Sequence, residues 1–335
     1  MRKRNPVWMI GFLVLGLLLA ETSGLRAETT FAKILNADGL GHSVKQTTDG
    51  GYIITGQIYS NIWLIKTDKS GNKQWENTFG SGSGNFVRQT TDGGYVIIAT
   101  TGSHDVWLAK TDSAGNKQWD KTFDGSYYNY GNSVQQTTDG GYVIVGTNKS
   151  YDAWLIKIDS VGNKQWDRTF GGPNNDYGIS VEKTADGGYV IAGITLSYGA
   201  GKDDIWLIKT DSSGNKQWDR TFGGSGDDRG YSVRQTADDG YVITGSTKSY
   251  GAGYNGAWLI KTDRFGIKQW NKVFNNPSNS DSIEQTTDGG YIIVGNSWLI
   301  KTDSWGNVGQ FSYTPYNTSP RFPQPVPVHS VCADG

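Results

Sequence analysis

Ile205-Trp206-Leu207-Ile208-Lys209-Thr210-Asp211-Ser212-Ser213-Gly214-Asn215-Lys216-Gln217-Trp218-Asp219-Arg220-Thr221-Phe222 reads as one β-hairpin. Two runs rich in aromatic and β-branched residues flank a turn of Asp, Ser, Gly and Asn, the residues that turn chemistry favours. Upstream, Gly178 to Thr184 forms another strand-like run, Ala185-Asp186-Gly187-Gly188 a turn, and Tyr189 to Gly193 a strongly apolar second run. Residues 178–224 therefore predict four short antiparallel strands.

The same phrase is written six times at a period of about forty-seven residues. Trp-Leu-Ile-Lys-Thr-Asp begins at Trp63, Trp107 (with Ala109), Trp154 (with Ile158), Trp206, Trp258 and Trp298, and Asp-Gly-Gly-Tyr ends at Tyr52, Tyr95, Tyr142, Tyr189, Tyr241 (with Asp239) and Tyr291. Four strands per repeat of this length is the unit of a β-propeller. The expected fold is all-β: a six-bladed β-propeller of four-stranded antiparallel blades. Residues that recur in every copy are expected to build the scaffold. Those that vary are where a specific activity could sit.

Spacing sharpens the prediction. Third-strand and fourth-strand Trp are twelve residues apart in five copies, from Trp63 and Trp75 to Trp258 and Trp270. The distance from second-strand Tyr to third-strand Trp instead runs 11, 12, 12, 17, 17 and 7 residues. In a propeller that loop and the blade-to-blade connection emerge on one face, so length variation is expected to collect there. Closure is expected from Thr29 to Ile34, which resembles a fourth strand. It would pair with the last three strands, Ser282 to Thr302, whose own fourth strand has Gln310 in place of Trp. Such a seam hides the edges of an open array.

The two ends read differently. Arg2, Lys3 and Arg4 precede an apolar run from Val7 to Ala20 and a polar stretch ending at Ala27, the pattern of a secretory signal. Fourteen apolar residues fall short of the ~20 that span a bilayer. The expected organisation is a signal at 1–27, a propeller at 28–312 and a Pro-rich tail at 313–335, with no membrane span in the mature chain. The protein is expected to be exported, to the periplasm, the cell surface or the extracellular space.

Charge is balanced, 31 basic against 32 acidic residues, which points to no nucleic-acid partner. The one cysteine, Cys332, lies in the tail. With His42, His104 and His329 in no shared motif, neither a Cys-His pair nor zinc spacing is present. No catalytic set and no cofactor are predicted.

The pattern Asp211-Gly214-Trp218 recurs as Asp68-Gly71-Trp75, Asp112-Gly115-Trp119, Asp159-Gly162-Trp166 and Asp263-Gly266-Trp270. It resembles the tryptophan-docking repeat of quinoprotein-type propellers, and the whole unit is similar to exported repeat propellers of bacteria and archaea. The resemblance implies the fold and a docking role for the Trp residues between blades. It implies little about activity, since such propellers serve as dehydrogenases, assembly factors and binding platforms. This chain departs from the dehydrogenases in three ways: one residue fewer between Asp and Gly, six copies rather than eight, and no vicinal cysteine pair.

Mid-strand Lys66, Lys110, Lys157, Lys209, Lys261 and Lys301 are expected to meet carboxylates or carbonyls, because a buried ammonium without a partner is costly. The alternative for them is a cationic lining of the channel. Asp203-Asp204 and Asp227-Asp228 are the better metal candidates, against a reading as solvated charges; metal binding stays open. The variable loops supply the predicted ligand-binding face: Tyr127, Tyr128, Tyr130, Tyr151, Tyr198, Tyr250 and Tyr254 among Ser, Gly and Asn. Replacing Tyr127, Tyr128, Tyr130, Tyr198 and Tyr250 with Ala is expected to abolish capture while leaving thermal unfolding unchanged.

The expected function is a non-enzymatic protein- or glycan-binding scaffold at the cell envelope, monomeric, with an envelope protein or carbohydrate as partner. The competing class is a hydrolase or quinone-dependent oxidoreductase at the channel mouth. Its mark would be dissimilar acidic and basic groups converging near the axis, one per blade.

Overall fold

In the computed structural model, residues 35, 38–123, 129–251, 255–275, 280–295 and 298–309 are described. They form only strands, turns and loops, and no helix among them is long and apolar enough to cross a membrane. The strands follow the repeat. Gly39–Gln46 (β1), Tyr52–Ile58 (β2), Asn61–Thr67 (β3) and Lys73–Gln89 (β4) continue into Tyr95–Thr101 (β5), Val106–Thr111 (β6) and Lys117–Phe123 (β7). These seven make one sheet because the long β4 pairs with β3 through its first half and with β5 through its second.

Three four-stranded antiparallel sheets follow. The first holds Tyr130–Gln136 (β8), Tyr142–Thr147 (β9), Ala153–Ile158 (β10) and Lys164–Phe170 (β11). The second holds Asp176–Lys183 (β12), Tyr189–Thr195 (β13), Asp204–Thr210 (β14) and Lys216–Phe222 (β15), and the third Asp228–Gln235 (β16), Tyr241–Thr247 (β17), Gly256–Thr262 (β18) and Lys268–Phe274 (β19). A three-stranded sheet of Ser280–Gln285 (β20), Tyr291–Gly295 (β21) and Trp298–Thr302 (β22) ends the order. The strand predicted from Thr29 to Ile34 and the residue Gln310 lie outside the described residues.

Burial alternates by strand. The second and third strands of a repeat are covered on both faces, so β13 and β14 are buried throughout, whereas β15 opens with exposed Lys216 and Gln217. The core is a series of apolar layers between successive sheets. One layer joins Val190, Leu207 and Phe222 to Val233, Tyr241, Ile243 and Trp258 of the next sheet. Equivalent layers lie at the other junctions.

The fourth-strand Trp seals each junction. The rings of Trp75, Trp119, Trp166, Trp218 and Trp270 stand 5.7, 5.9, 6.1, 5.8 and 6.0 Å from those of Tyr95, Tyr142, Tyr189, Tyr241 and Tyr291 in the following repeat. They also press on its hairpin glycine. A Cβ on Gly214, whose φ is 78°, would lie 2.5 Å from the Trp166 ring, so both sterics and backbone call for glycine there. The hairpin Asp accepts two amides each time, and in all but one copy an Asn side chain: Asp211 accepts from the amides of Ser213 and Asn215 and from the Asn215 side chain, whereas Asp263 faces Ile267.

The mid-strand lysines meet carboxylates, as expected. Lys66, Lys110, Lys157, Lys209, Lys261 and Lys301 pair with the turn residues Asp49, Asp92, Asp139, Asp186, Asp238 and Asp288 at 2.8–2.9 Å. Each pair lies within one repeat, so these lysines are structural clamps on the turn. They do not supply the cations that converge between repeats.

Candidate functional site

Every first strand carries one β-bulge. The residue left out of register is His42, Asn85, Asn132, Ile179, Tyr231 or Asp281, so the copies differ at this point. A bulge re-aims the side chains around it. Three residues further on, between a recurring apolar residue and the strand end, the copies differ again: Lys45, Arg88, Gln135, Glu182, Arg234 and Glu284.

The first strands stand beside one another in chain order, β1, β4, β8, β12, β16 and β20. Their variable side chains join across the gaps. Gln135 Nε2 donates to the Val181 carbonyl and to Glu182, both at 3.1 Å. Arg234 reaches Glu182 at 3.3 Å and grips Glu284 through Nε at 2.9 Å and a terminal nitrogen at 2.8 Å. Glu284 also meets Lys45 at 3.2 Å, linking the last described sheet to the first. No strand pairing joins those two sheets among the described residues.

Bulge residues add a second tier. His42 Nδ1 lies 3.1 Å from the Gly84 carbonyl, and the side-chain amides of Asn85 and Asn132 donate to the Gly131 and Gly178 carbonyls at 2.7 Å. Each thus holds the first strand of the next repeat. Asp281 has no N–H to offer. Its Oδ2 is buried without a hydrogen-bond partner, and burial pushes its carboxyl up to about 6.

Electrostatics among these side chains follow from burial set against pairing. Burial pushes Lys45 down, with Glu284 opposing it, and also pushes Arg88 down. Burial raises Glu182 against the pull of Arg234 and Arg88. Glu284 is buried too, yet the hydrogen bonds and charge of Arg234, together with Lys45, hold it at about 2. Dissimilar charged groups therefore do converge, the arrangement expected of an enzyme. Four of the five charged members are committed to one another, however, and no three His, Cys, Asp or Glu side chains among the described residues are grouped to hold a metal.

At one end of the sheets the variable loops meet the connections between repeats. Asp176 N donates to the Tyr151 carbonyl at 2.7 Å, Asp228 N to Asp203 at 2.6 Å and Lys248 N to Asp227 at 3.0 Å. This is the single uneven face that the loop lengths predict. Tyr130 begins β8, its ring 6.1 Å from that of His104, and Tyr151 sits half-buried at a φ of 62°. Tyr198 and Tyr250 are exposed on one side, but their hydroxyls donate to the Gly171 and Gly223 carbonyls at 2.9 and 2.8 Å. Their rings lie 5.7 and 5.1 Å from Trp206 and Trp258. They hold the connections as well as facing solvent, so replacing them will not leave unfolding untouched. Tyr127, Tyr128 and Tyr254 lie outside the described residues.

The acidic doublets divide. Asp203 and Asp227 are the outward members, paired with Arg229 at 2.6 Å and Lys248 at 2.7 Å. Asp204 and Asp228 are buried rather than solvated: Asp228 accepts from the Gly224 amide at 2.9 Å and from the Ser249 hydroxyl, and Asp204 from the Ala200 amide at 2.6 Å.

No family model matches the chain, and no curated protein matches it. Solved structures do. The WD40 β-propeller domain of Doa1 superposes with a TM-score of 0.59 at 11% identity, covering 82% of this chain and 83% of that one. The Neurospora crassa Pan2 WD40 domain gives 0.56 at 10% identity, over 81% and 78%. A Bacteroides caccae protein of unknown function gives 0.52 at 11% identity, over 76% and 90%. The chain is a repeat β-propeller. At such identities the likeness speaks to fold alone, and each repeat sheet is a propeller blade.

The two variable positions of the first strand were missed by sequence reasoning, which sought variation in loops. The signal was present: between a Val (Ile283 in the last copy) and a Gln (Lys183 in the fourth), one position reads Lys, Arg, Gln, Glu, Arg, Glu across the copies.

Proposed function

We propose that this propeller is a non-enzymatic scaffold that binds a protein partner on its uneven loop face. The observation that carries this reading is the meeting of the long loops with the inter-repeat connections at one end, through the backbone bonds at Tyr151, Asp203 and Asp227. A rigid β scaffold with its length variation gathered on one face suits recognition, because loops can differ without disturbing the blades. Solved WD40 propellers, one of them in a mitotic checkpoint complex, supply the analogy with a protein partner. Mutual neutralisation of the axial charges favours binding over catalysis.

In this reading six blades close into a ring. The Lys45–Glu284 pair supports closure, and the segment from Thr29 to Ile34 would complete the last blade beside β20–β22. Residues 1–27 act as an export signal, the protein works as a monomer at the cell envelope, and the tail from 313 onward tethers or spaces it. The Trp contacts at the five described junctions support kinship with tryptophan-docking propellers.

The test is capture of envelope proteins by residues 28–335, compared with a Tyr127→Ala, Tyr128→Ala, Tyr130→Ala, Tyr151→Ala variant. Tyr198 and Tyr250 are left intact because their hydroxyls hold the blades. Loss of a specific protein partner with an unchanged unfolding transition supports the reading. Undiminished capture by the folded variant contradicts it, and specific binding to a glycan array with no protein partner replaces protein by carbohydrate.

A further inference from the structure

One of these first-strand charges has no partner among the described residues. Arg88 makes no hydrogen bond and no ion pair with any described residue, and its Nε is buried without an acceptor. Its flanking positions are Lys45 on β1 and Gln135 on β8, and neither offers it a carboxylate. The nearest acids by charge, Glu182 and Glu284, are taken by Arg234 and Lys45.

A guanidinium carries five N–H donors in a fixed fork and does not shed its proton in proteins. Only the Nε of Arg88 is buried without an acceptor; the residue as a whole is half-buried, so the charge stays on the guanidinium and part of its fork is open to a ligand. The set also holds an excess of one formal positive charge: Lys45, Arg88 and Arg234 against Glu182 and Glu284. It is reachable, because the side chains of Lys45 and Glu284 are 23% and 50% exposed.

We propose that Arg88 is the anchor of a small-molecule site at the propeller axis that takes a carboxylate-bearing ligand. The fork of Arg88 matches the two coplanar oxygens of a carboxylate. One negative charge balances the set, whereas a phosphate dianion would overshoot it and face Glu182 and Glu284. The ammonium of Lys45, paired with Glu284, stands 5.6 Å from the centre of the Phe86 ring on the adjoining strand. Phe86, half-buried two residues before Arg88, offers an apolar flank for the ligand body. This site is independent of the loop face, and either can fail without the other.

The probes are acetate and inorganic phosphate, added to the full chain at constant ionic strength made up with chloride. Binding is followed by calorimetry and by the thermal midpoint. Acetate is expected to raise the midpoint saturably above the chloride control, and phosphate to raise it less. Arg88→Gln is expected to weaken acetate at least tenfold while staying folded in chloride. If that variant does not fold, Arg88→Lys serves, since it keeps the charge and loses the fork; it too is expected to weaken acetate about tenfold. Acetate behaving like chloride on the native chain overturns the proposal, as does unchanged acetate binding in either folded variant. Phosphate binding as tightly as acetate overturns the carboxylate assignment.

Discussion

The third-strand lysines and the variable residues of the first strands each supply one polar group per repeat, and the molecule uses them in opposite ways. Lys209 and its five counterparts close on an Asp of their own blade, so one solution serves six times. All of the first-strand groups but Arg88 close on a neighbouring blade, and the contacts differ: amide to carboxylate, guanidinium to carboxylate, carboxylate to ammonium. A bond made inside a repeat can be copied with it. A bond between repeats ties each copy to a particular neighbour, and so fixes the order of the repeats. Recurrence thus marks what a blade needs for itself, and variation marks what the assembly needs.

The largest effect expected from this contrast is at Arg234. Its side chain is nearly sealed and holds two carboxylates from two other blades. Arg234→Ala leaves both acids without it and is expected to cost about 3 kcal/mol in urea unfolding, the lower end for a broken buried pair because Glu284 is half-exposed. A loss below that of a surface ion pair would break the distinction between the two sets.

Next comes Asp281, the variable acid against the recurring ones. Its folded pKa of about 6 lies above the unfolded carboxylate value, so its contribution is favourable at low pH and is lost as pH rises through about 6. Asp281→Asn is expected to add about 2 kcal/mol at pH 8 and almost nothing at pH 4. Asp49, Asp92 and Asp139 run the other way. Bonding to Lys66 and Thr47 holds Asp49 at about 2; for Asp92 and Asp139 a burial effect of opposite sign is outweighed by their lysine and threonine partners, giving about 2 again. Their contribution is complete above about pH 4 and fades as pH falls through 2. Stability measured against pH should therefore show an acid limb that Asp281→Asn leaves in place and a neutral limb that it removes.

Smaller effects separate one lysine from another. Lys209 is almost fully buried and Lys301, in the sheet with three described strands, is 30% exposed. Lys209→Ala is expected to cost about 2 kcal/mol, since a lost buried charge–hydrogen-bond partner is softened by the exposure of Asp186. Lys301→Ala should cost distinctly less. Equal costs would mean that the last blade is as well covered as the middle ones.

These residues also show what the sequence could and could not disclose. Asp-Gly-Gly-Tyr and the Trp-to-Trp spacing were enough to place the strands of residues 178–222 within a residue or two, because turn chemistry and pleat alternation are local. The pairing of each lysine followed from the cost of burying an ammonium. The contacts between first strands did not follow, because whether Lys45 finds Glu284 depends on how the first sheet lies against the last, 239 positions away. Tyr198 and Tyr250 looked like free recognition residues for the same reason: their bonds run to Gly171 and Gly223 across a blade junction.

The most direct test of a ring of blades is a double-mutant cycle on Lys45→Ala and Glu284→Ala, read by chemical unfolding of the full chain. The two changes lie in the first and last repeats, and their partners are partly exposed, so a coupling of about 0.5–1 kcal/mol is expected that shrinks as salt is raised. Strictly additive costs at low salt would mean that the first and last blades do not meet, and would contradict the ring.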